Sequence, residues 1–70
     1  MKMKVDDVIE RFGGVEKMLA KMEGLDQSYP AATVAVWKFR HVIPDNAIVT
    51  LMLIDRKFDP REFGWKPRLK

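Results

Sequence analysis

Seventy residues limit the chain to one domain with one small core, because a chain this short buries only a modest share of its surface. The absence of cysteine and the single histidine, His41, exclude a disulfide framework and a thiolate zinc site, and any metal would rest on carboxylates, which suits weak Mg or Ca binding at best. The net charge of +3 is uneven (−1 over residues 1–27, +2 over 28–44, +2 over 45–70), which points to a polyanionic partner for the second half, although an ordinary solvated surface accounts for so small an excess equally well.

Val5, Val8, Ile9 and Phe12 fall at i, i+3, i+4, i+7 and predict a short first helix, with Asp6 and Asp7 placed to suit its dipole. Gly13-Gly14 ends it. Val15, Met18, Leu19 and Met22 form the stripe of a second helix, with Gly24 expected at its end in a positive-φ turn. Ala20 is expected where the second and third helices cross. Asp26 and Ser28 are capping types before a third helix over about 30–40, in which Val34 and Trp37 face inward. Pro44 opens the next element. Its apolar run, Ile48 to Ile54, reads either as a helix with Ala47, Ile48, Leu51 and Met52 on one face or as a buried β-branched strand, and the helix is preferred. A helix apolar all round must bury its second face, and Val49, Leu53 and Ile54 are the expected contact with a second copy. Asp59 to Glu62 predicts one capped helical turn. Phe58, Phe63 and Trp65 are candidates to pin the tail to the core.

The whole reads as an all-α domain of four to five short helices over residues 1–56, followed by a basic C-terminal extension, 57–70. The purest basic stretch is Lys66 to Lys70, which reads either as a disordered, solvated end or, slightly preferred, as an arm that tracks the backbone of a polyanion. The charged start, Met1 to Asp7, lacks the apolar stretch of a secretory signal, and no apolar run is long enough to span a bilayer, so a cytoplasmic location is expected.

Two helices, a turn and a third helix carrying tryptophan is a helix-turn-helix layout, in which a small core presents the third helix to a major groove. Phe12-Gly13-Gly14, Leu19-Ala20, Gly24-Leu25, Thr33-Val34, Trp37-Lys38, Arg40 and Ile43-Pro44, in that order, resemble the Cro/YdaS-like and "carph-isopro" helix-turn-helix proteins of phages and proteobacteria, over about residues 5–55. The resemblance implies a sequence-specific DNA-binding regulator, a Cro-like repressor acting as a homodimer on double-stranded DNA. The turn here is longer than that family's, the extra residues falling in Glu23 to Tyr29. The positions expected to face DNA are Gln27, Ser28, Tyr29, Ala31, Ala32, Thr33, Ala35, Val36, Lys38, Arg40 and His41. Ala31, Ala32, Ala35 and Val36 offer no side-chain hydrogen bond, whereas groove readout normally uses Arg, Lys, Asn or Gln. The alternative is therefore a protein-interaction module on the same fold, docking a transcription component or a toxin through that alanine and valine face. No nucleophile–base pair, phosphate loop or ligand cluster is present, so neither an enzyme, a cofactor nor a small-molecule substrate is expected.

Overall fold

The computed structural model describes residues 2–66, which form four α-helices and one 3-10 turn, with no strand among the described residues. In chain order they are α1 (Val5–Arg11), α2 (Val15–Glu23), α3 (Ala31–Arg40), α4 (Asp45–Ile54) and the turn Pro60–Phe63. α1 packs on α2, α3 and the 3-10 turn, and α2 packs on α3 and α4. The domain is small and all-α.

The helical stripes account for the core. Val5, Val8, Ile9 and Phe12 are buried from α1 and its end, Met18 and Met22 from α2, and Val34 and Trp37 from α3. The stretch 48–54 is helix. A lone strand among helices would leave its backbone groups unpaired. In the helix, the β-branched Thr50 satisfies its buried hydroxyl by donating to the Asn46 carbonyl at 3.0 Å. α4 buries Ala47, Ile48 and Leu51, but Met52, expected on that stripe, points outward. Ile54, expected at the contact with a second copy, lies half-buried against the core, because it falls one helical turn from Thr50 and Leu51 on the inner face.

Three local expectations are corrected. Gly24 is in ordinary helical conformation, φ −61°, and the chain reverses two residues later at Asp26, φ 60°. Aspartate tolerates this left-handed region better than most residues. Ala20 is exposed rather than at a helix crossing, because α2 meets its neighbours through the side bearing Met18, Leu19 and Met22. Neither Asp26 nor Ser28 caps α3, whose first carbonyl acceptor is Pro30, bonded to the Thr33 N–H at 2.9 Å. The Gly13-Gly14 joint forms as expected, at φ 90° and 107°, and lets two helices turn back on each other within three residues.

The core cluster continues past residue 56. Phe58 is 3% exposed, stands edge-on to Phe12 at 5.1 Å and lies 5.6 Å from Phe63. Trp65 donates its Nε1–H to Asp45 at 3.1 Å, across the start of α4. The N-terminal segment is threaded beside this tail: the Met3 N–H donates to the His41 carbonyl at 2.7 Å and the Lys4 N–H to the Phe63 carbonyl at 2.8 Å. The extension is thus part of the same packed body as far as Trp65. Of the basic stretch 66–70, all but Lys66 lies outside the described residues.

Asp59 caps the 3-10 turn by accepting the Arg61 N–H at 3.0 Å. The Arg61 side-chain hydrogen bond, then that backbone N–H, hold its carboxyl below the ordinary value. The support is present above the ordinary carboxylate range and is lost as pH falls through the lowered value. At Gly64, φ 94°, an added Cβ would stand 2.7 Å from the Lys2 carbonyl oxygen. Gly64→Ala is expected to cost about 1–3 kcal/mol through left-handed strain and displacement of the N-terminal segment. Thermal unfolding of the variant checks this, since about 1 kcal/mol moves the midpoint of so small a domain by roughly 4–8 °C.

Candidate nucleic-acid interface

Two inward side chains hold α3. Val34 and Trp37 are 1% and 4% exposed, and the opposite face of the helix is open to solvent, with Ala31, Ala32, Ala35, Val36, Phe39 and Arg40 all exposed. This division follows from the helical period: three residues separate the two anchors, and everything half a turn away faces outward.

The residues expected to face DNA divide into three groups. In the turn, only Ser28 is exposed and unengaged. Tyr29 is half-buried, packs edge-on to Trp37 at 5.1 Å, and donates its hydroxyl to Gln27 Oε1 at 3.2 Å. Gln27 and Tyr29 therefore brace the turn against α3, and the edge-on pair adds about 0.5–1.5 kcal/mol beyond burial. On α3 itself, Ala31, Ala32, Ala35 and Val36 share the outer side, while Thr33 is half-buried on its flank.

At the C-terminal end of α3, Lys38, Arg40 and His41 are exposed. Lys38 Nζ lies 3.4 Å from Asp6 Oδ1, an exposed pair worth about 0–1 kcal/mol that a phosphate can displace. His41 ends the helix in left-handed conformation, φ 57°, its N–H donating to the Trp37 carbonyl. Lys2, Lys4, Asp6, Asp7, Lys38 and His41 line a shallow concavity there. The unpaired carbonyls of a helix end favour such cations.

Phe39 was not among the expected site residues, and it is the most exposed large apolar side chain described, at 85%. The sequence carries its signal: Ala32, Ala35, Val36 and Phe39 fall at i, i+3, i+4, i+7, a second apolar stripe opposite Val34 and Trp37. α4 has a similar outer stripe, Val49, Met52 and Leu53, at 52%, 40% and 69% exposure.

Among the described residues no three His, Cys, Asp or Glu side chains gather as a metal site, and no helix is long and apolar enough to cross a membrane. No protein-family model, curated protein or solved structure matches this chain.

Proposed function

We propose that this domain is a cytoplasmic, non-enzymatic DNA-binding transcription regulator of Cro-like helix-turn-helix type, which sets α3 into the major groove and acts as a homodimer. One observation carries the reading: α3 follows α2 across a braced turn, is fixed from behind by Val34 and Trp37, and presents its entire front. The order of motifs from Phe12-Gly13-Gly14 to Ile43-Pro44 supports it, as does the stretch 28–44, which contains Lys38 and Arg40 and no acidic residue.

The test is titration of the protein against labelled duplexes across a salt series, with selection of bound sequences. Enrichment of a short palindrome, with affinity falling steeply as salt rises, is the expected result, because lysine and arginine contacts release condensed counterions. Arg40→Ala should weaken binding to all sequences alike and reduce the salt slope by about 1. Equal binding with and without Arg40 would remove that residue from the interface.

A second reading is favoured by Phe39, whose 85% exposure suits a partner protein better than water. In it the same stripe docks a transcription component or a toxin, and binding barely responds to salt. Phe39→Ser should alter stability by no more than about 0.5 kcal/mol, since the ring makes few contacts, so any loss of binding reports on the occupant.

A further inference from the structure

Resting on the DNA-binding reading, we propose that α3 recognises its site through thymine C5-methyl groups. The outward stripe of Ala32, Ala35, Val36 and Phe39 contains no side-chain donor or acceptor, and Val36 and Phe39 are 46% and 85% exposed. Every base-pair edge in a major groove carries polar atoms, and covering them with alanine and valine leaves their hydrogen bonds unmade. The one apolar group the groove offers is the thymine methyl, which alanine and phenylalanine side chains contact. Small side chains at 32 and 35 let the helix backbone come close, and Val36 and Phe39 supply contact area. Selectivity then has two parts: methyls gain burial, and guanine or cytosine edges at the same positions lose hydration without compensation.

Charge selects DNA as the occupant. Arg40 follows Val36 by one turn on one flank of the stripe, and Lys38 follows Ala35 on the other. Lys2, Lys4 and His41 stand in the concavity beside Lys38 together with Asp6 and Asp7, Lys38 pairing with Asp6 at 3.4 Å, so its three lysines exceed its two carboxylates by one charge. Cations on both flanks match the two phosphate strands that border a groove.

The experiment measures affinity of the full chain for its selected duplex, for that duplex with uracil in place of thymine in each half-site, and for a duplex with cytosine or 5-methylcytosine at the same positions. Uracil keeps the pairing and the phosphates and deletes only the methyl. Affinity should fall about fourfold for each contacted methyl, with an unchanged salt slope, and 5-methylcytosine should bind better than cytosine by a similar factor. Val36→Ala, an exposed truncation that leaves the fold intact, should shrink the thymine-to-uracil ratio. Thymine and uracil duplexes binding within twofold of each other, with salt-dependent binding intact, would overturn methyl readout and leave the DNA-binding reading standing. Absence of salt-dependent binding to any duplex would overturn both.

Discussion

Phe58→Ala is expected to destabilise the domain by about 3–5 kcal/mol, the usual cost of emptying a buried aromatic site. Its ring is 3% exposed and fills the space between Phe12 at 5.1 Å and Phe63 at 5.6 Å. Removing it leaves a cavity and frees the 3-10 turn, whose Phe63 carbonyl accepts the Lys4 N–H. Two chain ends are loosened by one substitution. Single domains hold about 5–15 kcal/mol in total, and one this small sits toward the bottom of that range, so the variant should be largely unfolded or nearly so at physiological temperature. Urea unfolding followed by tryptophan fluorescence gives the difference directly. Lys57→Ala, at an exposed neighbouring position, serves as the control and should change stability by no more than about 0.5 kcal/mol. A loss of less than about 1 kcal/mol for Phe58→Ala would mean that the tail is not part of the folding unit.

That prediction marks where periodicity stops being informative. The stripes of α1, α2 and α3 each bury one face, so their spacing shows in the sequence, and Val5 to Phe12, Met18 with Met22, and Val34 with Trp37 can be read directly. The segment after residue 56 has no period. Phe58, Phe63 and Trp65 interrupt basic residues, prolines and a glycine, and composition suggests an extension. The aromatic residues are the better guide, because a domain of this size rarely leaves three of them in water. Asp59 with Pro60 was the other legible feature: the cap and the turn form as their residue types dictate.

The candidate site was legible as a helix, less so as a surface. Gln27, Ser28 and Tyr29 are the polar side chains nearest an α3 face that offers no hydrogen bond, which makes them the expected readers, yet Gln27 and Tyr29 are spent on each other and on Trp37. Such pairing depends on how two elements approach, which spacing along one element does not encode. The face of Ala31, Ala32, Ala35 and Val36 is legible from composition, but its continuation to Phe39 one turn further is not among the expected positions. Counting both faces of α3 exposes a second stripe. The same count on α4 separates Val49, Met52 and Leu53, which face out, from Ile54, which turns in.

The outer stripe of α4 carries the second large effect. Combining Val49→Glu with Leu53→Glu should abolish homodimerisation, leave the helical domain folded, and lower operator affinity by about 100-fold or more, since two half-sites held together exceed either alone by roughly 10²–10⁴. Val49 and Leu53 are 52% and 69% exposed, so the substitutions cost the monomer little. Across a two-fold axis the same patch meets itself. An antiparallel pair of α4 helices centred at the level of Leu51 would set Val49 against Leu53 of the second copy. Such a pairing would bury the apolar stripe against itself, and antiparallel helix dipoles would add to the match. Four glutamates at the centre would replace that contact by like-charge repulsion. Sedimentation equilibrium on the wild type and the variant, with circular dichroism to verify folding, decides the matter. A variant that still sediments as a dimer would move the interface elsewhere. A wild type that sediments as a monomer while binding its palindrome tightly would show that each domain reads its half-site alone.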